Sequence, residues 1–150
     1  PLELGGSHGR REATGRGLFA VAAAAAGTCG IDLAAARCVM QGFGNVGATA
    51  ARLLHQHGCR IVAVQTSGGA IHNDNGIDPR ALQEHLARRR SIGEFAGAAP
   101  LTDEQFWRTE AELLIPAALE RQITAANATH IRAQLIVEGA NGPTTQKALW

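Results

Sequence analysis

The hydrophobic residues of this chain fall into short continuous runs, separated by longer segments of helical periodicity. Runs of this length are typical of strands that are covered on both faces, as in a parallel sheet. The intervening segments are long enough for helical crossovers, so we expect adjacent parallel strands in one sheet. Four strands are predicted, at Cys38 to Gln41, Ile61 to Val64, Glu112 to Ile115 and Gln134 to Glu138.

The segments between the strands carry helix signals. After the first strand, apolar positions recur at i, i+4, i+7 and i+8 over 46–54. Asp78 before Pro79 predicts an N-cap and a first-turn proline, and Thr102 with Gln105 predicts a capping box. The predicted helices are about Arg11 to Thr28, Asn45 to His57, Pro79 to about Arg89, a short helix after Thr102, and Gln122 to Ala128.

Three stretches follow neither pattern. Residues 1–9 and the segment SIGEFAGAAP (91–100) predict loops, and residues 144–150 predict a helix that has only begun. We therefore expect an α/β domain over residues 1–150 whose sheet is truncated at its C-terminal end.

Composition narrows the class of protein. The chain has 150 residues, which suits one domain with a real core, and 45% of them are hydrophobic, as in a folded globular protein. The formal net charge is only +1 and aromatic residues make up 4%, so we expect no nucleic-acid partner. The densest basic cluster, residues 88–90, is better explained as a solvated helix end than as a nucleic-acid surface.

Cysteine usage and the N-terminal half indicate a cytoplasmic protein. The three cysteines, Cys29, Cys38 and Cys59, lack C-x-x-C spacing and predict buried, reduced thiols. The alanine-rich residues 18–36 are interrupted by glycine and aspartate, which favours a packed helix over a membrane span, and the N-terminus has no signal-peptide pattern. His55 and His57 would face different ways on a helix, so we expect no metal site.

The first predicted strand runs directly into VMQGFGNVG, residues 39–47. Its glycines have the spacing G-x-G-x-x-G: Gly42 allows a tight bend, Gly44 lets the backbone approach a pyrophosphate, and Gly47 lets the helix pack closely. The phosphates of a dinucleotide would then lie at the N-terminus of the following helix. The strand–turn–helix context favours a Rossmann-like, doubly wound fold, although a glycine-rich turn without a ligand is the simpler alternative.

The residue that usually accompanies this turn is missing. In NAD-binding domains, an acid about 20 residues further on binds the adenosine ribose hydroxyls. Here the second strand runs into Gln65, Thr66 and Ser67, and no carboxylate follows until Asp74. We therefore expect Thr66 and Ser67 to face the ribose, with weak discrimination between NAD and NADP.

Five segments carry a resemblance to a known family, in order and in spacing. They are GGSHGRREATGRG (5–17), GFGNVG (42–47), IHNDNGID (71–78), LIPAALERQIT (114–124) and VEGANGPTT (137–145). Together they resemble the cofactor domain of glutamate dehydrogenases over nearly the whole chain. Leucine and phenylalanine dehydrogenases share the fold and the glycine turn, but IPAALE and EGANGPTT are more similar to the glutamate enzymes.

The resemblance implies a cytosolic, hexameric oxidoreductase that interconverts L-glutamate with 2-oxoglutarate and ammonia, using NAD or NADP. It implies a nicotinamide carboxamide site at Thr14 and Asn45, and a pyrophosphate site at Gly44, Asn45 and Val46. It further implies that Ala118, Gln122 and Asn141 lie along the nicotinamide ribose, and that Arg10 lies near the substrate.

Several of these residues have structural alternatives. Thr14 could bond a preceding carbonyl within its helix, Asn45 could cap the helix, and Arg10 could be structural. Asn141 follows the carboxyl end of a predicted strand, where open α/β sheets bind ligands, which favours a functional role.

The resemblance places the catalytic lysine and aspartate of the family in a substrate domain, which we expect to be absent from this chain. Its single lysine, Lys147, lies outside every matching motif. No catalytic residue is predicted here, and the chain alone is expected to be inactive. The open alternatives are a dehydrogenase for another amino acid and a non-catalytic dinucleotide-binding module.

Overall fold

The computed structural model describes residues 8–149, which form five α-helices and six strands. The helices are α1 (His8–Thr28), α2 (Asn45–Gln56), α3 (Pro79–Ala87), α4 (Asp103–Trp107) and α5 (Ala125–Ala128). The strands are β1 (Arg37–Gln41), β2 (Arg60–Thr66), β3 (Gly69–His72), β4 (Ala99–Leu101), β5 (Glu110–Pro116) and β6 (Arg132–Ile136). Short 3-10 turns occupy Leu33–Ala35, Ile92–Glu94 and Gln146–Leu149.

The strands form one sheet in the order β4-β3-β2-β1-β5-β6. β1 lies parallel to β2 on one side and to β5 on the other, and β6 continues the parallel half beyond β5. The prediction of four adjacent parallel strands is confirmed, although β6 begins and ends two residues earlier than the predicted Gln134 to Glu138. Because the chain leaves β1 for β2 and later returns to β5 on its other side, the strand order reverses at β1.

Two antiparallel strands were not predicted. β3 pairs with β2 through a turn at Ser67 and Gly68, and β4 pairs with β3. The prediction of a loop over residues 91–100 is therefore wrong at both ends of that segment, where a 3-10 turn and the start of β4 lie. Strands of four and three residues are too short to show a period, although Ser-Gly between apolar runs is a hairpin signal.

Helices cover both faces of the sheet, as a doubly wound fold requires. On one face, Leu18, Ala50 and Leu54 of α1 and α2 pack with Met40 and Ile61 of the sheet. On the other face, the core includes Phe106 and Trp107 of α4 with strand residues such as Val39, Val62 and Leu114. The expected Rossmann-like α/β class is confirmed.

The predicted helix signals are confirmed for α3 and α4. The Asp78 carboxylate accepts from the N–H groups of Arg80 (2.9 Å) and Ala81 (3.3 Å). The Thr102 hydroxyl accepts from the Gln105 N–H, while the Gln105 side chain accepts from the Thr102 N–H.

Several helix bounds differ from the prediction. α1 begins at His8, within the segment predicted as a loop, whose residues 1–7 lie outside the described residues. α5 begins at Ala125 rather than at Gln122, because the Ile123 N–H donates to the Pro143 carbonyl (2.8 Å) and keeps this stretch extended. Residues 146–149 form a single 3-10 turn, and Trp150 is not described.

The cysteines differ from one another in exposure. Cys29 is exposed just beyond the end of α1, so the prediction of three buried thiols is wrong for this residue. Cys38 and Cys59 are buried, and a hydrogen bond with Cys59, together with burial, raises the pKa of Cys38 well above its ordinary value. A buried thiol of raised pKa stays protonated and unreactive at neutral pH. None of the helices within residues 8–149 is long and apolar enough to cross a membrane.

Candidate functional site

The carboxyl ends of β1, β2 and β5 open into one cleft with a volume of ≈ 690 Å³. The turn after β1, the end of β2 and the loop after β5 form most of its lining, and Leu86 of α3 and Asp103 of α4 complete it. The cleft therefore lies where the strand order reverses, which is the usual ligand site of open α/β sheets.

Glycine shapes the turn after β1. Gly42 has φ +94°, and a Cβ there would lie 2.8 Å from the backbone of both Ala117 and Ala118. A Cβ at Gly47 would collide with the Gly42 carbonyl oxygen. At Gly44, in contrast, a Cβ would meet no atom within 4 Å. Gly42 and Gly47 permit the turn itself, whereas Gly44 leaves space open beside the cleft.

The start of α2 presents backbone donors to this space. Gly44 is the N-cap, no side chain caps the helix, and the Ala48 N–H donates to the Gly44 carbonyl (2.8 Å). The N–H groups of Asn45, Val46 and Gly47 precede this bond and have no acceptor within the helix. The alternative that Asn45 caps the helix is wrong, because Asn45 is its first residue and is exposed. Such a helix start favours an anion.

Two glutamines connect β1 to the loop after β5. The Gln41 amide, 4% exposed, donates to Oε1 of Gln122 at 2.8 Å, and the Gln122 amide donates to the Glu120 carbonyl at 3.1 Å. Oε1 of Gln41 is buried and has no partner among the described residues. Buried acceptors are rarely left unpaired, so this oxygen at the cleft wall could accept a hydrogen bond from a ligand or a water molecule.

The end of β2 carries neutral side chains. The Thr66 hydroxyl accepts from the Gly68 N–H (3.2 Å), and Ser67 is exposed beside it. Arg60 lies at the opposite end of the strand and donates to the Asp74 carbonyl (3.2 Å), so it cannot act in the cleft. The described lining of the cleft nevertheless includes one carboxylate, Asp103, whose Oδ1 accepts from the Gln65 amide at 2.7 Å.

Six of the residues proposed from sequence line the cleft: Gly42, Gly44, Thr66, Ser67, Ala118 and Gln122. The others lie around it. Asn45 is exposed at the start of α2, where Val46 packs against the core, and Gly47 is buried behind the turn. Thr14 is exposed on α1, beside Gly15, which packs closely on Thr49 of α2. Asn141 is exposed in the loop after β6, and the side chain of Arg10 is outside the described part of the structure.

Sequence reasoning missed seven lining residues: Gln41, Phe43, Gln65, Leu86, Asp103, Ala117 and Leu119. Most of them flank a segment already singled out, so adjacency to a motif could have identified them. Asp103 and Leu86 have no such signal, because only the packing of α3 and α4 against the sheet brings them to the cleft.

The fold and the cleft define a Rossmann-like α/β domain with a glycine turn and an uncapped helix start at its strand-order reversal. The chain belongs to the Glutamate/Leucine/Phenylalanine/Valine dehydrogenase family, whose family model matches residues 5–149. The family resemblance seen in the sequence is thereby confirmed.

The relatives include several glutamate dehydrogenases. The chain is 44% identical to the glutamate dehydrogenase of Thermotoga maritima, over 99% of this chain and 36% of that protein. It is 42% identical to the cryptic catabolic NAD-specific glutamate dehydrogenase of Bacillus subtilis, over 97% and 34%. Among solved structures, the hetero-hexameric glutamate dehydrogenase from Thermus thermophilus matches with a TM-score of 0.82 and 37% identity, over 99% and 35%. The chain thus spans about a third of the length of these relatives.

Proposed function

We propose that this chain is the NAD(P)-binding domain of a glutamate dehydrogenase, which interconverts L-glutamate with 2-oxoglutarate and ammonia. The observation that carries the proposal is the cleft at the carboxyl ends of β1, β2 and β5, with its glycine turn and uncapped helix start. Because several relatives are glutamate dehydrogenases, we propose glutamate as the substrate rather than leucine, phenylalanine or valine.

The residues present fit a dinucleotide. The open space at Gly44 and the first N–H groups of α2 suit a pyrophosphate, and the unpaired Oε1 of Gln41 suits a hydroxyl or amide donor. A bound nicotinamide would supply hydride transfer. The chain itself would hold and orient the cofactor, and its apolar side chains Phe43, Leu86 and Leu119 would exclude water from the cleft.

The remaining assignments follow the family resemblance. Thr66 and Ser67 would face the adenosine ribose, while Ala118 and Gln122, with Asn141, would lie along the nicotinamide ribose. Thr14 and Asn45 would bind the carboxamide, and Arg10 would lie at the substrate end. The substrate domain, with the acid–base residues, would be contributed by polypeptide outside these 150 residues. The complete enzyme would be a cytoplasmic hexamer, in line with the hexameric Thermus relative.

The test is calorimetric titration of the 150-residue chain with NADH. We expect binding in the wild type and strong weakening in Gly44→Glu, because the new carboxylate would occupy the pyrophosphate space and repel it. Gly27→Glu is the matched control, since Gly27 is an equally unobstructed glycine on α1, away from the cleft.

Two results would contradict the proposal. Equal NADH affinity in the wild type and in Gly44→Glu would show that the turn does not bind the pyrophosphate. Glutamate-dependent NADH formation by the chain alone would contradict the assignment of the acid–base residues to a separate domain, since Lys147 is the chain's single lysine.

A further inference from the structure

We infer that Asp103 is the carboxylate that faces the adenosine ribose in this cleft and that it favours NADH over NADPH. This inference rests on the proposed dinucleotide site. It assigns to a residue of α4 the role that the sequence pattern assigns to an acid at the end of β2.

Among the described residues, β2 and the turn after it place no carboxylate at the cleft. The strand ends in Gln65 and Thr66, and the next acid along the chain is Asp74. The Asp74 carboxylate pairs with Arg37 at 2.8 Å and with His72 at 3.2 Å. Arg37 is the first residue of β1, so Asp74 lies at the amino edge of the sheet, opposite the cleft.

Asp103 reaches the cleft from a different part of the chain. It is the first residue of α4, and it lines the cleft together with Thr66 and Ser67. The half-buried Gln65 donates its amide to Oδ1 of Asp103 at 2.7 Å, which holds the carboxylate against the end of β2. The second carboxylate oxygen has no partner among the described residues and is available to ribose hydroxyls.

The charge of Asp103 is not neutralised within the described chain, where it forms no ion pair. Its neighbour Glu104, in contrast, pairs with Arg108 at 2.9 Å. A free carboxylate accepts hydrogen bonds from both ribose hydroxyls of NADH, and it repels the 2′-phosphate of NADPH. The expectation of weak discrimination, which follows from the missing acid of β2, is thereby replaced by a preference for NADH.

Positive charges follow one of the lining residues in the sequence. Leu86 lines the cleft, and the exposed Arg88, Arg89 and Arg90 follow at the end of α3. Positive charge attracts phosphate groups, so these arginines would strengthen the binding of both nucleotides. Removing the charge of Asp103 should shift the ratio of the two affinities from a preference for NADH toward NADPH.

The experiment compares dissociation constants for NADH and NADPH in the wild type, Asp103→Asn and Glu104→Gln, by calorimetry at low and high salt. Asn keeps the size of the side chain and an oxygen for Gln65, so the fold is retained, which circular dichroism checks. We expect Asp103→Asn to lower the ratio Kd(NADPH)/Kd(NADH) about fivefold at low salt, and less at high salt. Glu104→Gln removes the same charge one residue away and should leave the ratio within about twofold.

Three outcomes would overturn the inference. An unchanged ratio in Asp103→Asn, with both nucleotides still bound, removes Asp103 from the ribose site and leaves the proposed function standing. An equal change in Glu104→Gln would show that only the overall charge matters. If the wild type binds neither nucleotide, the proposed function fails and this inference fails with it.

Discussion

The two walls of the cleft are built in different ways. The turn after β1 is shaped by backbone sterics, with Gly42 at φ +94° against Ala117 and Ala118 and with Gly47 against Gly42. The other wall, formed by the end of β2 and the loop after β5 on the two sides of β1, is shaped by side-chain pairs. Gln65 bonds Asp103 across 38 positions of sequence, and Gln41 bonds Gln122 across 81.

The two walls differ in whether the residues that determine them are close together or far apart in the sequence. A turn that only glycine can adopt can be predicted from three glycines and their spacing, because the steric requirement arises within that segment. A hydrogen bond between an amide and a carboxylate of two remote segments cannot be predicted from either segment alone, and it is recognised only in the folded structure. The turn should therefore be sensitive to any atom added at Gly42 or Gly47, whereas the wall of side-chain pairs should be sensitive to the loss of one partner.

The largest expected effect comes from Gly42→Ala. The new Cβ combines a left-handed backbone with contacts of 2.8 Å to the backbone at 117 and 118, and we expect a loss of about 3 kcal/mol in the free energy of unfolding. Gly30→Ala is the matched control, with φ +72° but no atom within 4 Å of its Cβ, and it should cost only about 1 kcal/mol. Denaturant unfolding measures both. Equal losses would show that the backbone conformation alone, and not the close packing of the turn, is responsible.

A smaller effect is expected from breaking the glutamine pair. Gln122→Ala removes the acceptor of the buried Gln41 amide nitrogen, while Oε1 of Gln41 already has no partner among the described residues. The loss should cost about 1–2 kcal/mol of stability. Gln105→Ala, which removes an amide from the exposed capping box of α4, is the control and should cost less. If the two variants lose the same stability in urea, the buried pair does not stabilise this wall.

Gly44→Ala should affect stability still less. Its Cβ meets no atom within 4 Å, and alanine at an N-cap costs about 0.5–1 kcal/mol relative to glycine. NADH affinity should nevertheless fall, since the methyl group occupies the space proposed for the pyrophosphate. Thermal unfolding and NADH titration of the same variant test the two halves of this expectation. A large loss of stability would place Gly44 with Gly42 as part of the closed turn.

The smallest effect concerns a side-chain pair at the other end of β1 and β2. The hydrogen bond with Cys59, and burial, raise the pKa of Cys38, so the neutral thiol is favoured in the folded state. This contribution is complete below the ordinary cysteine pKa of about 8.5 and is lost as pH rises above it. The free energy of unfolding should therefore decline above that pH, and the decline should be weaker in Cys38→Ala. Cys29→Ala, at an exposed position, is the control for loss of a thiol. An identical alkaline decline in Cys38→Ala and the wild type would contradict this account.

The elements with strong local signals were predictable. The four parallel strands, α2, and the caps at Asp78 and Thr102 followed from apolar runs and from side chains that bond nearby backbone. The predictions failed for elements that depend on contacts with remote parts of the chain or that are too short to show a pattern. The hairpin strands β3 and β4 are too short to show a period, and α5 lost its predicted first turn to pairing with residues 143–145.

Candidate site residues divide in the same way. Gly42, Gly44, Thr66 and Ser67 were identified from one motif and from the strand that follows it, and all of them line the cleft. Asp103 was not identified, because the sequence pattern places the expected acid directly after β2, and Asp103 lies much later in the chain. The structure brings a carboxylate to that place from α4, on the far side of the hairpin.

By itself, the sequence determined the class of fold, the glycine turn and the family, because each depends on spacings within short segments. The tertiary structure alone decided which side chains share the cleft with that turn. Gln41 with Gln122, and Gln65 with Asp103, meet only because parallel strands bring their carboxyl ends to one edge of the sheet. Long-range pairs of this kind produce no periodicity and no motif in the sequence, so only the packing of the chain places the Asp103 carboxylate beside the end of β2 in the cleft.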